Sequence, residues 1–276
     1  DTDRSRGLGD VYKRQAVWGQ CDAMYTCVCI LALAALYRRR YVASFIALGI
    51  AFALKLQTIF ILPVYLYVYI CRKDFSLLHF FISIFTLWVT GIPAYLEGRS
   101  LLTVFQIYLN QVNEYPQLVM NSPSIWTLFF PGYAYMRLCA LITTVLILGL
   151  FLYHLLNHKQ VIREDPESYL ILAAWCTWTC FLFLPSMHER YSYLSDLLLV
   201  LLALLSHKYL PYALVAVCIS GITYTNYLQD YTLWRVIPYL TPITAGAWFA
   251  FTFRILPASL TLDKHCTNQE TKEYLP

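Results

Sequence analysis

Nine apolar segments, at 18–37, 41–54, 57–71, 75–96, 129–153, 168–186, 193–206, 209–228 and 236–256, follow one another with only short polar gaps between most of them. A membrane-crossing helix needs roughly 20 predominantly apolar residues. The succession therefore predicts an all-α polytopic membrane protein with about nine transmembrane segments in a helical bundle. Only 13% of the 276 residues are charged and 59% are hydrophobic, against roughly 25% charge in a soluble domain. That is too little charge to cover a soluble surface. The 23 Tyr and 7 Trp suit a protein with two membrane–water interfaces, where amphipathic rings settle. Composition excludes nucleic-acid-binding modules and secreted disulfide scaffolds, and a net charge of +4 suggests no polyanionic partner.

Segments 41–54 and 57–71 are short for a full bilayer and flank the polar break Lys55-Leu56-Gln57, which points to a cavity where they meet. No repeat or low-complexity linker divides the chain, so residues 16–256 are expected to form one domain, with 257–276 as a cytoplasmic tail. Residues 1–15, DTDRSRGLGDVYKRQ, carry seven charges and no apolar period. The string resembles translated sequencing-adapter sequence found at the ends of metagenomic reading frames. It is read as a non-native leader to a metagenomic fragment, with further membrane segments expected upstream.

Cations fix the orientation, because short cytoplasmic loops are enriched in Lys and Arg. Arg38 to Arg40, Arg72-Lys73, Lys159 with Arg163, Lys208, and the tail with Lys264 and Lys272 all fall on one side, taken as cytoplasmic. The exoplasmic side then receives 18–22, 55–57, the long loop 97–128, 187–191 and 228–235. Nearly every unusual polar residue lies there, and polar groups at membrane depth are costly unless they line a cavity or bind something. Within the long loop, Leu101, Val104, Phe105, Tyr108 and Val112 share a face opposite Thr103, Gln106, Asn110 and Asn113. This pattern predicts an exoplasmic interfacial helix.

Four constellations carry candidate chemistry. Met187-His188-Glu189-Arg190-Tyr191 sets a base, an acid and a fixed cation at the outer end of an apolar helix. Arg190 offers a planar fork for phosphate oxygens, and His188 can donate to a phosphate or exchange a proton. Glu189 either orients one of them or forms a loop salt bridge with Arg190. In Trp18-Gly19-Gln20-Cys21-Asp22, the Asp22 carboxylate either caps a helix N-terminus or binds sugar hydroxyls or a cation. Lys55 with Gln57 either snorkels or reaches a lipid phosphate. Tyr115, Asn121 and Trp126 are residues of the sort that stack on sugars or anchor loops, and they mark a candidate acceptor loop. The nine cysteines form no C-x-x-C pair and are read as small buried hydrophobes, so no metal is expected.

In this order, Trp18-Gly19-Gln20-x-Asp22, Lys55-x-Gln57 before a helix with Pro63, Asn121 with Trp126, and Met187-His188-Glu189-Arg190-Tyr191 resemble bacterial integral-membrane mannosyltransferase-like proteins. These are related to GPI mannosyltransferase II, in the GT-C glycosyltransferase superfamily. The resemblance covers residues 16 to about 210.

It implies a polytopic enzyme that transfers a hexose, with mannose as the family label, from a polyprenyl-phosphate donor to a glycan or lipid acceptor on the exoplasmic face. The reaction inverts the anomeric centre and needs no cofactor beyond the lipid-linked sugar. His188, Glu189 and Arg190 would lie near the donor phosphate, joined by Lys55, Gln57, Asp22 and Gln20. In such enzymes the general base is an acid in the first exoplasmic loop. That loop is expected upstream of this fragment, which is expected to be inactive alone in a bacterial plasma membrane. The alternatives are a multi-span transporter or lipid flippase, and a noncatalytic membrane scaffold.

Overall fold

A computed structural model describes residues 22–100, 102–103, 105–107, 117–129, 133–228 and 234–262, excepting the side chains at 133–135, 227–228 and 234. Trp18, Gly19, Gln20, Tyr115, the 1–15 leader and residues 263–276 lie outside the described residues, as do Leu101, Val104, Tyr108, Asn110, Val112 and Asn113 of the expected interfacial helix.

The fold is mostly α-helical. The helices are α1 (Asp22–Tyr37), α2 (Tyr41–Leu54), α3 (Leu62–Arg72), α4 (Leu78–Thr90), α5 (Ile92–Leu96), α6 (Tyr133–Asn157), α7 (Pro166–Phe183), α8 (Tyr193–Leu205), α9 (Leu210–Leu228) and α10 (Ile237–Arg254). Each falls on an apolar segment of the sequence. The expected number of crossings is corrected, however. Among the described residues two helical stretches are long and apolar enough to cross a membrane, Leu78–Leu96 and Met136–Asn157. Helices α1 and α2 and the stretch Leu56–Arg72 are shorter, as is α8 with 13 residues. In α7, α9 and α10, Thr, Ser, Tyr and Trp dilute the apolar character.

The two long apolar stretches are not the core of the bundle, for only 6% and 17% of their most apolar windows are buried. Phe81 and Phe85 on α4, and Val145 and Leu150 on α6, stand exposed. The centre is α7, buried continuously from Tyr169 to Leu182 apart from Leu170. A helix apolar on every side belongs inside. Asp165 starts it by accepting the Ser168 amide at 2.8 Å, and Pro166 occupies a first-turn position where a missing N–H costs nothing. Several buried polar atoms of the core are partnered across helices. The Trp175 indole donates to Thr252 Oγ1 and that of Trp248 to Thr179 Oγ1, each at 2.9 Å. Tyr67 donates to the Leu148 carbonyl at 2.7 Å. Such bonds avoid the penalty of an unpaired group in an apolar interior.

Cysteines follow helix periodicity rather than uniform burial. Cys29, Cys176 and Cys180 are buried, whereas Cys27 and Cys218 are exposed, so these two correct the expectation that all are core residues.

The loops gather at two poles. At one, Glu164 takes Arg39 at 2.6 Å and also Arg72, while Lys208 pairs with Glu167 at 2.8 Å. Hydrogen bonds from Lys208 and Tyr209 hold the Glu167 carboxyl below the ordinary carboxylate range. Residues 257–262, expected as the start of a tail, form a 3-10 turn (Leu256–Ser259) and a strand, Leu260–Leu262. That strand pairs antiparallel with Gln160–Ile162. The groups assigned to the cytoplasmic side thus meet at one end of the bundle, and those assigned to the other side meet at the opposite end.

Helices α2 and α4 touch at Gly49. A Cβ there would come within 2.6 Å of the Ser83 carbonyl oxygen and of Thr86 Cβ. Ser83 also donates to the Phe45 carbonyl at 2.7 Å across the same seam. We expect Gly49→Val to cost about 2–3 kcal/mol through overpacking, lowering the thermal unfolding midpoint followed by circular dichroism in detergent. Gly149→Val, placed where nothing approaches within 4 Å, should leave the midpoint nearly unchanged; equal effects would contradict the close seam.

Candidate functional site

At the second pole the chain breaks its own helix. Helix α2 ends as Lys55 turns to an extended conformation (φ −159°), and a 3-10 stretch, Leu56–Ile61, follows before Pro63 opens α3. Irregular backbone inside an apolar bundle is tolerated where it is buried in protein or lines a cavity, and here it lines one. A cleft of about 680 Å³ runs over Lys55 and Gln57 and is closed by Arg137, Arg190 and Tyr191. Its flanks are apolar, with Leu54 and Ile59 beside the break, Leu87 from α4 and Leu141 from α6. Three cations therefore stand at one apolar slot, and no carboxylate lines it among the described residues.

The flanks come from the two helical stretches that expose the most apolar surface, α4–α5 and α6. The first packs on α2, the second on α7 and α3. The cleft lies between them, at the pole-facing end of both.

Lys55 is fixed by its neighbours. Its ammonium pairs with the Asp22 carboxylate and sits 5.3 Å from the ring centres of both Tyr25 and Tyr191. The two side chains are only 14% and 9% exposed. Asp22 does stand in the first turn of α1, and its carboxylate is turned to the Lys55 ammonium of the same chain. Aromatic faces attract the same cation electrostatically.

The Met187-His188-Glu189-Arg190-Tyr191 run leaves α7 as a strand, Met187–His188, pairing parallel with Val119–Met120, then turns into a 3-10 stretch, Glu189–Ser192. Ser186 secures the junction, its amide donating to the Leu118 carbonyl and its hydroxyl to that of Gln117, both at 2.8 Å. Arg190 and Tyr191 reach the cleft. Glu189 turns inward, 2% exposed, with His188 Nδ1 at 3.9 Å. The His188 ring meets the Tyr191 ring edge-on at 5.1 Å. Tyr191 thus links Lys55 on one side to His188 on the other.

Asn121 and Trp126 act as anchors. Asn121, at φ 55°, donates to the Thr223 carbonyl at 2.9 Å and accepts from Asn226. Trp126 is buried and donates its indole N–H to the Phe183 carbonyl at 2.6 Å. Of the expected cluster, Asp22, Lys55, Gln57, His188, Glu189 and Arg190 meet at this pole, and the loop of Asn121 and Trp126 packs beside them.

Two groups were missed by sequence reasoning. Arg137 reads as an ordinary interfacial cation at the start of a long apolar segment, and nothing local shows that it faces Arg190 across a cleft. Asp196 had a signal, being the one acid inside segment 193–206. Its Oδ2 accepts from Ser220 at 2.6 Å and Ser192 at 2.9 Å.

Comparison with family models, with curated proteins and with solved structures gives no match.

Removing one partner of a buried ion pair strands the other charge, at about 3–5 kcal/mol, whereas removing both is far cheaper. We expect Lys55→Met and Asp22→Asn each to destabilise the protein, and the double variant to recover most of the loss in a double-mutant cycle read by thermal unfolding in detergent. Additive losses would mean the two charges do not depend on each other.

Proposed function

We propose that this chain is a membrane glycosyltransferase of GT-C type that takes a hexose from a polyprenyl-phosphate donor at the exoplasmic face. The observation that carries the reading is the cleft: Lys55, Arg137 and Arg190 at the head of an apolar slot. A polyprenyl phosphate has matching chemistry, an anionic head on a hydrocarbon chain. Arg190 and Arg137 offer planar forks to phosphate oxygens, with Lys55, neutralised by Asp22, beside them. The apolar flanks on α4 and α6 suit the first isoprene units of a lipid entering sideways between helices. Preorganised cations of this kind stabilise charge developing on a departing phosphate.

In this reading Leu78–Leu96 and Met136–Asn157 cross the bilayer facing lipid, with the other apolar helices packed against them inside the bundle. The pole of Arg39, Arg72 and Lys208 is cytoplasmic and the cleft opens at the exoplasmic side of a bacterial plasma membrane. Sideways access would also serve a lipid flippase. The cleft's cations lie at one pole, however, while Arg39, Arg72, Arg163 and Lys208 at the other are engaged by Glu164, Asp165 and Glu167, which favours binding at one face over passage across.

The test is transfer from a radiolabelled hexosyl polyprenyl phosphate by membranes containing the full-length protein. Arg190→Ala and Arg137→Ala are expected to lower turnover by about 100-fold or more with membrane insertion intact. Near-normal turnover would remove these residues from the site, and movement of label across vesicles without a transfer product would favour transport.

A further inference from the structure

The pole opposite the cleft carries more cations than its acids engage. Glu164 Oε1 accepts from Arg39, at 2.6 Å, and from Arg72. Asp165 pairs with Arg163 at 3.2 Å and Glu167 with Lys208, while the charge of Asp74 acts on Arg39 and Tyr41. Arg38, Arg40 and Lys73 are exposed, and no ion pair engages them among the described residues.

These three cations border one edge. Arg38 and Arg40 flank Arg39, and Lys73 follows Arg72, so the shared Glu164 oxygen brings both sets of neighbours together. The Tyr41 ring, next to Arg40, packs on Phe75, two residues beyond Lys73, with centroids 5.1 Å apart. Both turns reverse through a cation in the left-handed region, Arg39 at φ 57° and Lys73 at φ 55°, where glycine would meet no steric cost. A helix C-terminus favours nearby cations, which accounts for Arg38 after α1 and Lys73 after α3. Arg40 is not accounted for in this way, because it stands at the N-terminal end of α2 without a side-chain capping bond, where the helix dipole favours an anion instead.

Beside this edge the outward-facing α4 begins. Leu77, Leu78 and Phe81 are exposed there, at the start of the long apolar stretch Leu78–Leu96. A soluble phosphate would meet only the cations. A molecule with an anionic head and hydrocarbon tails would meet both surfaces.

We propose that Arg38, Arg40 and Lys73 bind the phosphodiester head of an anionic glycerophospholipid whose acyl chains lie along the start of α4. This rests on the membrane placement in the reading above and not on glycosyl transfer. Basic clusters beside a membrane segment attract anionic lipids, and the lipid here neutralises charge that the ion pairs of this pole leave over.

The experiment is native mass spectrometry of the full chain, released from detergent, with phosphatidylglycerol and phosphatidylcholine of identical acyl chains. Phosphatidylglycerol is expected to be retained about fivefold more or better. Combining Arg38→Gln, Arg40→Gln and Lys73→Gln should erase the preference, with circular dichroism confirming the fold. Arg40→Gln and Lys73→Gln alone should each lower it, which keeps the test decisive if the triple variant unfolds. Inorganic phosphate and glycerol 3-phosphate at millimolar concentration should not displace the lipid, and Arg137→Ala with Arg190→Ala should leave the preference intact. Equal retention of the two phospholipids, a preference that survives these glutamine substitutions, or displacement by either soluble phosphate overturns the proposal. Loss of the preference in the cleft variant also overturns it, by placing the phospholipid in the cleft. If undecaprenyl phosphate fails to bind while phosphatidylglycerol follows the three cations, the transferase reading falls and the phospholipid site stands.

Discussion

The Asp22–Lys55 ion pair is the interaction on which the working pole depends. A charge taken out of water must be neutralised and solvated by the protein itself, and Lys55 receives this from a carboxylate on α1 and two aromatic faces. One of those faces, Tyr25, belongs to α1; the other, Tyr191, belongs to the run after α7. A single ammonium thereby draws together the first helix, the break between α2 and α3, and the Met187–Tyr191 segment. The cleft exists because these elements meet without closing over one another.

The same logic explains why polar groups gather at two ends. The middle of the bundle offers only paired hydroxyls and indoles as hydrogen-bond partners, so formal charge retreats to the poles. One pole ties Arg39 and Arg72 to Glu164 and Lys208 to Glu167, which fastens loops. The other leaves Lys55, Arg137 and Arg190 facing a common space. Ion pairs that fasten loops at one end, and cations that border a cleft at the other, distinguish the two poles.

Much of this was legible in the sequence. Apolar runs locate every helix, and the polar break at Lys55 between two short runs announces a cavity before any coordinates are considered. The cation distribution sorts the loops into the two groups that later meet at opposite ends. What could not be read was tertiary partnership. Asp22 and Lys55 are 33 residues apart, and no local pattern says that they pair; Asn121 and Trp126 look like sugar-binding residues until their amide and indole groups are found spent on Thr223 and Phe183. Hydropathy also overcounts long crossings, because a buried helix such as α7 and an outward-facing one such as α6 are both apolar. Arg137 stayed invisible because a cation at a helix end is common and its facing residue is 53 positions away, at Arg190.

The most direct measurement is native mass spectrometry of the full chain, released from detergent, with undecaprenyl phosphate and undecaprenol in parallel. The two lipids share a hydrocarbon chain and differ only in the head that the cations would meet. The account predicts that the phosphate adduct survives collisional activation that strips the alcohol, and that Arg137→Ala with Arg190→Ala erases the difference. Equal retention of alcohol and phosphate by the unsubstituted protein would contradict a phosphate site at this cleft.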